Sequence, residues 1–488
     1  MSDSFVWTDA SVRTALGMPP DAGGRDTRFS QVSTDTRTLE EGALFVAIEG
    51  ERFDGHAFLG EAENRGAGAC VVSTTARSHP SDSGEASTGV GTLRCYEVED
   101  TLVALGLLAR FRRRALAPKV VGITGSSGKT TLKELLAASL GNAFRVHATR
   151  GNRNNRIGLP LTLLEAPEDT NLWVVELGTS EPGEIGTLAA IAEPDAAVVT
   201  TVSEAHLSGL ESLEGVLDEK LDLLRGTHRD GPVVVGDRPA ILPERAREVR
   251  TDVRVSGLSN RADPELRGEL LDSDSRGCYR VRWGGGQWRP GLPGRHGVEN
   301  FLLALSVVRL LGVDVEVAAH AAARVEPGPL RGEVRRVGDL TLLLDCYNAN
   351  PQSVRAAVQL LSELPGSGGK VAILGSMLEL GARSEALHRE ILEEAIHQPL
   401  ALVVAVGEFV PAAEALVAGP AGRSRPDWPP TLLAADTAEE AYDLLRPRLS
   451  GSETILLKAS RGLALEKLLD RFLEDFGASG GAPPGREA

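Results

Sequence analysis

The chain has few cysteines, few aromatic residues and a deficit of positive charge. Its four cysteines in 488 residues, Cys70, Cys95, Cys278 and Cys346, lie far apart and form no CxxC motif, which indicates reduced thiols. Aromatic residues make up only 4% of the chain, so a platform for stacking nucleic-acid bases is not expected. The net charge of −16 disfavours binding to nucleic acid or to anionic membranes.

The sequence also lacks any apolar run approaching the roughly 20 residues that span a bilayer. Residues 1–5 show neither the basic nor the apolar region of a secretory signal. We therefore expect a cytoplasmic protein without membrane insertion. Hydrophobic residues at 42% and charged residues at 25% are typical of a globular protein, and the length predicts about three domains.

The most informative motif is TGSSGKTT at residues 124–131, directly after the apolar run at residues 120–123. A buried strand that enters a glycine-rich turn and then a helix forms a cradle of backbone N–H groups for phosphate. Lys129 is expected to reach the β- and γ-phosphates, and the Thr130 hydroxyl to contact Mg²⁺. Ile123 occupies the first glycine position of GxxxxGK[ST], so this is the shorter form TGxxGKT. An ordinary Gly/Ser turn does not explain the lysine and the threonines. We assign ATP phosphate binding to Gly125, Ser126, Ser127, Gly128, Lys129, Thr130 and Thr131.

Hydrophobic patterning predicts an α/β protein of three domains. A smaller N-terminal α/β domain covers residues 1–115, with a predicted disordered loop at residues 80–91. Residues 116–327 are predicted to form a central domain with a parallel sheet that carries the phosphate loop. Residues 328–476 alternate strands and helices regularly, which predicts a C-terminal doubly wound, Rossmann-like domain. Residues 477–488 are predicted to be a disordered tail.

Continuous apolar runs predict strands that are buried on both faces of the two parallel sheets. The stretch at residues 263–294 is glycine-rich and polar, and predicts irregular or edge β structure. The predicted strands are residues 43–48, 70–72, 172–176, 196–200, 232–235, 340–345, 371–375, 401–407 and 454–458, and the predicted helices are residues 101–113, 298–311, 353–364 and 385–396.

Glu176 and His206 follow predicted strands and are candidates for metal chemistry, whereas the sequence around Lys220 does not indicate such a role. Glu176 ends a buried strand, where a carboxylate commonly helps to hold Mg²⁺ in phosphate-loop proteins, although an N-cap or ion pair is also possible. His206 follows the next strand. The sequence allows either a metal-binding or phosphate-binding role for it, or an ordinary surface or capping role. Lys220 has the spacing of a helix-surface lysine paired with Glu219.

Polar residues also follow other predicted strands. The asparagine-rich stretch at residues 151–158 fits either a polar, neutral ligand such as a sugar or peptide, or a turn-rich loop. The segment YNANP at residues 347–351 follows Asp345 at a strand end, where ligands bind in open α/β sheets. Lys458 and Arg461, at the end of the last strand, could hold a carboxylate or phosphate.

Taken together, these stretches resemble the Mur ligase family, and within it the MurF type, over residues 33–472. The YNANP segment separates this type from the sister ligase that adds the third amino acid. The motifs that match in order are STDTR (33–37), GALFVA (42–47), FDGH (53–56), TGSSGKT, GNRNNRIG (151–158), VELG (175–178) with GEI (183–185), AHL (205–207), DCYNANP (345–351), LGSMLELG (374–381) and KASRG (458–462).

The resemblance implies an ATP-dependent ligase that requires Mg²⁺. It would join D-alanyl-D-alanine to the terminal carboxylate of UDP-N-acetylmuramoyl-tripeptide through an acyl phosphate, in peptidoglycan precursor synthesis. The partners implied are small molecules, and the chain is expected to be a monomer. Two alternatives remain: a related Mur-type ligase that adds a different amino acid or peptide, and a non-catalytic, nucleotide-gated binding protein of the same fold.

The resemblance also implies residue roles. His206 would help to hold a second metal, and Lys220 matches a lysine that several Mur ligases carbamylate to bridge metals. The implied catalytic residues are Lys129, His206 and Lys220, and the implied metal ligands are Thr130, Glu176, His206 and Lys220. Asn300 matches the asparagine that reads adenine, while Arg331 and Asp345 match residues that the third domain brings to ATP on closure. The implied substrate-binding residues are Ser33, Asp35, Arg37, Asp54, His56, Asn152, Asn155, Thr179, Asn348, Asn350, Lys458 and Arg461.

The chain departs from the family pattern at four positions. Gly297 replaces the asparagine usual in GRHN, and Arg156 replaces an acidic or neutral residue in the asparagine-rich motif. Ser376 replaces the aspartate of LGDM, and Cys346 stands where serine is common, with an expected packing role. These changes bear on substrate contacts and leave the phosphate motif intact.

Overall fold

The computed structural model describes residues 5–21, 26–50, 53–74, 93–366, 368–418 and 431–477. The predicted loop at residues 80–91 and residues 478–488 of the predicted tail lie outside this part of the chain. Within the described ranges, no helix combines the length and apolar character needed to cross a membrane.

The first part of the chain carries a parallel sheet with strand order β3-β4-β5-β6. Its helix α3 begins where the Asp100 carboxylate accepts from the backbone N–H groups of Leu102 and Val103, and it ends three residues beyond the predicted helix. The elements are β1 (Trp7–Thr8), α1 (Asp9–Ala15), β2 (Arg28–Phe29), β3 (Val32–Ser33), β4 (Leu44–Val46), α2 (Leu59–Asn64), β5 (Ala69–Ser73), β6 (Cys95–Val98) and α3 (Thr101–Leu116).

The central parallel sheet has six strands in the order β12-β11-β10-β7-β9-β8, so the strand before the phosphate loop lies in its interior. Val120, Val174 and Val198 are fully buried, as expected for strands covered by helices on both faces. The elements are β7 (Lys119–Thr124), α4 (Lys129–Leu140), β8 (Val146–Ala148), α5 (Gly158–Leu164), β9 (Leu172–Glu176), α6 (Glu184–Ala192), β10 (Ala196–Val199), α7 (Leu207–Leu210), α8 (Leu213–Arg225), β11 (Val233–Gly236), α9 (Ile241–Val249) and β12 (Arg254–Ser256).

The glycine-rich stretch after β12 forms a small antiparallel sheet with strand order β13-β14-β15. Gly284 and Gly285, with φ of 61° and 87°, make the tight turn between its last two strands. The following helix begins at Gly294, four residues before the predicted start. The elements are β13 (Glu269–Ser273), β14 (Tyr279–Trp283), β15 (Gly286–Trp288), α10 (Gly294–Leu310) and α11 (Val315–Ala322).

The third sheet has the order β16-β17-β21-β18-β19-β20, in which only the edge strand β16 is antiparallel. Helices alternate with its parallel strands, so the predicted α/β class with a second doubly wound sheet is confirmed. The elements are β16 (Glu333–Val337), β17 (Leu340–Asp345), α12 (Pro351–Glu363), β18 (Lys370–Leu374), α13 (Ser384–Ile396), β19 (Leu402–Val406), α14 (Val410–Ala418), β20 (Thr431–Ala435), α15 (Ala438–Leu445), β21 (Thr454–Lys458) and α16 (Leu468–Phe476).

The central and third sheets meet at the ends of their parallel strands. Asn350 caps α12 by accepting from the Ser353 N–H at 2.9 Å, and its Nδ2 donates to the Ser126 carbonyl at 3.3 Å. Gln352 Nε2 donates to Thr201 Oγ1 at 2.9 Å. A polar cleft therefore lies between the two sheets.

Candidate active site

The phosphate loop connects β7 to α4 through two glycines with positive φ, Gly125 at 148° and Gly128 at 85°. A Cβ at Gly125 would lie 1.8 Å from Thr200 Oγ1, and one at Gly128 would lie 2.6 Å from Asn300 Oδ1. Neither position can hold a side chain without displacing a neighbour. The loop therefore presents bare backbone at the helix N-terminus, as a phosphate cradle requires.

We expect Gly125→Ala to destabilise the fold by about 1–3 kcal/mol and to abolish ATP binding, because the methyl group displaces Thr200 from the loop. Gly186→Ala is the matched control, since it lies within α6 and its Cβ would meet Asp222 at an ordinary 3.5 Å. Thermal unfolding and calorimetric ATP titration measure both effects. Equal behaviour of the two variants would contradict the steric argument.

Lys129 is the first residue of α4, and its Nζ donates to the Gly125 carbonyl at 2.6 Å. Burial lowers the pKa of Lys129, the carboxylate of Glu176 opposes that shift, and the charge of Arg331 adds to it. The ammonium therefore lies among other charged groups at the mouth of the loop. An anionic ligand in the loop could therefore replace the Gly125 carbonyl as the hydrogen-bond acceptor of Lys129.

Glu176 ends β9 and is only 1% exposed. Its Oε2 accepts from Thr130 Oγ1 at 3.3 Å, while its Oε1 is buried and has no hydrogen-bond partner among the residues that the structure describes. A buried carboxylate oxygen with unused lone pairs, beside a threonine hydroxyl, suits a hard divalent cation. The residues present thus fit Mg²⁺, and its ligand assignment remains a prediction.

Lys133 was missed by the sequence reasoning. Its buried Nζ donates to the Thr149 carbonyl at 2.8 Å and lies 3.6 Å from Glu176 Oε1. The signal was its spacing of four residues from Lys129, which places both lysines on one face of α4. Lys133 supplies the nearest positive charge to that otherwise unpartnered carboxylate oxygen.

Asn300 lies in α10 against the phosphate loop and is 7% exposed. Its Nδ2 donates to the His296 carbonyl at 2.9 Å, whereas its Oδ1 is buried and accepts no hydrogen bond within the described part of the chain. A free amide oxygen next to the loop can accept from an exocyclic amine such as that of adenine. The predicted adenine contact fits this geometry.

Lys220 lies in α8 and is 1% exposed, so its interpretation as a surface lysine paired with Glu219 is wrong. Glu219 instead accepts from the N–H groups of Gly183 and Ile185 at 2.6 and 2.7 Å, which fixes the start of α6. Burial lowers the pKa of Lys220 well below its ordinary value, and the charge of Lys129 lowers it further.

His206 follows β10 and lies at the junction with the third domain. Its Nδ1 is hydrogen-bonded to the carboxylate of Glu379, and Glu204 beside it pairs with Arg383 at 2.6 Å. Among the residues that the structure describes, no three His, Cys, Asp or Glu side chains are grouped to hold a metal ion. The predicted second metal site remains a prediction.

The third domain contributes a lysine–aspartate ion pair and a tyrosine ring that two arginines approach. Lys458, 2% exposed, donates from Nζ to Asp345 Oδ2 at 2.7 Å and to the Asn348 carbonyl at 2.9 Å. The guanidinium carbon of Arg331 lies 3.7 Å from the centre of the Tyr347 ring, and that of Arg461 lies 5.3 Å from it. The predicted strand-end residues are thus linked to one another by direct contacts.

A cleft of about 740 Å³ brings most of the predicted central and third-domain residues together. Its walls include Ser126, Ser127, Gly128, Lys129, Thr130, Thr131, Asn152, Asn155, Glu176, Thr179, His206, Asn300, Arg331, Asp345, Asn348, Asn350 and Lys458. Its walls also include Asp237, Arg238, Glu299 and Arg355, which no sequence motif had indicated. The predicted site residues Gly125, Lys220 and Arg461 do not line this cleft.

The predicted substrate residues of the first domain form separate local groups. Arg37 makes a two-pronged ion pair with Asp35, whose carboxylate also accepts from the Arg37 N–H. Asp54 Oδ1 lies 2.6 Å from His56 Nδ1, and His56 Nε2 accepts from the Ser73 N–H at 2.9 Å. The first pair lies at the start of a short 3-10 helix at Thr36–Thr38, and the second lies at the start of another at Gly55–Phe58.

Three of the four departures from the family pattern can be described from their local contacts. A Cβ at Gly297 would lie 2.6 Å from the Leu292 carbonyl oxygen, so the asparagine usual there would require a shift of the chain. Ser376 Oγ accepts from the Glu408 N–H at 2.9 Å. Cys346 is buried, and burial raises its thiol pKa to about 12, in keeping with the expected packing role. Nothing in the structure explains Arg156.

Comparison with known proteins decides the family. The chain matches the profiles "Mur ligase family, catalytic domain" over residues 28–113, "Mur ligase middle domain" over 123–308 and "Mur ligase, glutamate ligase domain" over 330–461. It is 34% identical over 448 residues to the UDP-N-acetylmuramoyl-tripeptide–D-alanyl-D-alanine ligase of Bacillus subtilis, covering 91% of this chain and 93% of the relative. The chain belongs to the Mur ligase family. The resemblance predicted from the motifs is confirmed.

Solved structures agree with this assignment of the Mur ligase fold. A crystal structure of MurF from Acinetobacter baumannii matches with a TM-score of 0.82 and 28% identity, over 96% of this chain and 99% of that one. MurF ligase from Thermotoga maritima in complex with ADP matches with a TM-score of 0.75 and 28% identity, over 91% and 97% of the two chains.

Proposed function

We propose that this Mur ligase joins D-alanyl-D-alanine to the terminal carboxylate of UDP-N-acetylmuramoyl-tripeptide, with conversion of ATP to ADP and phosphate. The observation that carries the proposal is the cleft in which the phosphate loop of the central domain faces the YNANP segment of the third domain. The activity named for the Bacillus subtilis relative and for the A. baumannii and T. maritima MurF structures supports the same substrates.

The reaction has two steps. The tripeptide carboxylate attacks the γ-phosphorus of ATP, and the bond to the β,γ-bridging oxygen breaks to give an acyl phosphate and ADP. The dipeptide amine then attacks the acyl carbon, phosphate leaves, and the amine proton is lost. No enzyme nucleophile is required, so this chain acts by positioning its substrates and neutralising charge.

The residues of the cleft are suited to these tasks. Lys129 and Arg331 bring positive charge to the phosphates from two domains, and Asn300 presents an open acceptor to the nucleoside. Thr130 and Glu176 would hold Mg²⁺, which when bound neutralises phosphate charge. Contacts of Asn350 and Gln352 link the third domain to the central domain at this cleft. Further closure of the cleft would protect the labile acyl phosphate from water.

We further propose that the protein acts in the cytoplasm, on small molecules and as a monomer. The net charge of −16 supports the absence of nucleic-acid partners. A light-scattering mass near 51.6 kDa would support the monomer, and a multiple of that value would contradict it.

The proposed activity is tested by phosphate release from ATP and Mg²⁺ with UDP-N-acetylmuramoyl-tripeptide, in the presence and absence of D-alanyl-D-alanine. We expect release to require both acceptor and dipeptide, and mass spectrometry to find the pentapeptide product. Product formed only with a single amino acid would identify a ligase with another specificity. ATP binding with no turnover would instead indicate a nucleotide-gated binding protein.

A further inference from the structure

The third domain places one acidic side chain directly on a predicted catalytic residue of the central domain. We propose that Glu379 is a positioning residue, which holds the His206 imidazole with its proton on Nδ1 when the third domain is docked. This inference rests on the proposed ligase function and adds a residue to its machinery. Glu379 belongs to the segment between β18 and α13, 173 positions from His206 in the chain.

The contact joins backbone as well as side chains. His206 Nδ1 is hydrogen-bonded to a carboxylate oxygen of Glu379, and the Ser208 N–H donates to the Glu379 carbonyl at 3.2 Å. Both ends of Glu379 are thereby fixed against the short helix α7. A side chain held this way has a defined direction toward the imidazole.

Backbone conformation at both partners shows that the contact is built into the fold. His206 has φ of 57° and Glu379 has φ of 64°, in the left-handed region that residues other than glycine rarely adopt. Such conformations persist where the surrounding structure holds them, and they concentrate at functional sites. Here they occur at the two residues that share the hydrogen bond.

A second interdomain contact lies beside the first and does not involve His206. Arg383 NH1 donates to Glu204 Oε1 at 2.6 Å. Gly381, with φ of 55°, brings its backbone so close that a Cβ there would lie 3.3 Å from the Leu207 carbonyl oxygen. This neighbouring ion pair gives a control that separates domain docking from imidazole orientation.

The hydrogen bond at Nδ1 of His206 determines what the other ring nitrogen, Nε2, can do. A carboxylate accepting from Nδ1–H leaves the lone pair on Nε2, so Nε2 is the ring nitrogen available to a ligand. His206 lines the same cleft as Lys129 and Glu176. Because Glu379 comes from another domain, the His206 ring is fully oriented only when the third domain is docked.

The test uses the full-length protein and four variants. In long-range ¹H–¹⁵N spectra, with the His206 signals assigned by their loss in His206→Gln, we expect the Nδ1–H tautomer in the wild type and a mixture of tautomers in Glu379→Ala. Glu379→Gln, whose amide oxygen can accept the same bond, should keep the tautomer. Arg383→Ala should also keep it, because that variant breaks only the neighbouring ion pair.

Kinetics provide the second measurement. We expect Glu379→Ala to lower kcat about 10–100-fold with a smaller change in KM, Glu379→Gln to recover most of the loss, and Arg383→Ala to stay within a few-fold of the wild type. Equal losses in Glu379→Ala and Arg383→Ala, or an unchanged His206 tautomer in Glu379→Ala, would overturn the proposal. The spectra need no substrate, so a protein that makes no pentapeptide would refute the proposed function while the tautomer result still decides the contact.

Discussion

Lys129→Ala is expected to lower pentapeptide formation by at least about 10²–10³-fold, because it removes a positive charge placed at the phosphate loop. The fold should persist, since among the described residues the lysine ammonium donates a hydrogen bond only to the Gly125 carbonyl of its own loop, at 2.6 Å. Burial already lowers the pKa of Lys129, so its removal relieves a desolvated charge. Product formation is followed by mass spectrometry and folding by thermal unfolding.

Lys119→Ala is the matched control for that variant. Lys119 begins β7, the strand that leads into the phosphate loop, and it is exposed, with its Nζ 5.7 Å from the centre of the Phe144 ring. We expect its loss to leave turnover within about two-fold and to cost at most about 0.5–1 kcal/mol of stability. Substantial turnover by Lys129→Ala, or inactivation by Lys119→Ala, would contradict the role assigned to Lys129.

The fold was predictable where strands are buried on both faces. The predicted bounds 172–176, 340–345 and 454–458 agree with β9, β17 and β21, because a strand covered by helices is one continuous apolar run between polar residues. The individual strands β13, β14 and β15 of the small sheet were not predicted from the sequence. The alternation of apolar and charged residues in β14 (YRVRW) is a strand signal that the sequence reasoning did not use, whereas β13 (ELLDS) and β15 (GQW) show neither alternation nor an apolar run.

The site was predictable only where its parts are close in sequence. TGSSGKT specifies its own turn and helix start, so the phosphate loop could be found locally. The contacts of His206 with Glu379 and of Ser126 with Asn350 join residues 173 and 224 positions apart. Those pairings depend on how two sheets meet, which no single segment encodes. The family motifs implied their proximity without giving the contacts.

The burial of Lys220 in α8 shows the same limit of prediction from local sequence. Asp218, Glu219 and Asp222 surround it in sequence, so the local pattern indicates a solvated face. In the fold, Glu219 turns inward because it supplies acceptors to the Thr179 hydroxyl and to the N–H groups at the start of α6. Lys220 follows it into the interior, where its amine is held apart from water.

Lys220→Met is expected to change stability and activity in opposite directions. Methionine has a similar length and no charge, so it removes a buried amine whose pKa burial has lowered well below normal. Replacing buried charge with an apolar side chain is often neutral or stabilising by about 1–4 kcal/mol. The melting temperature should therefore hold or rise. Leu221→Met, next on the same helix and fully buried, is the control, and should cost less than about 1.5 kcal/mol without loss of turnover.

Activity should be lost in Lys220→Met if the amine is carbamylated, as we propose from the resemblance and from its lowered pKa. A neutral amine adds to CO₂ with formation of a nitrogen–carbon bond and release of one proton, and the product is a carboxylate that can bind cations. Methionine cannot form it. Labelled bicarbonate should give a ¹³C carbamate signal in the wild type that is absent from the variant. Full turnover by Lys220→Met would show that the buried amine is structural, and a clearly lower melting temperature would show that its charge is compensated inside the fold.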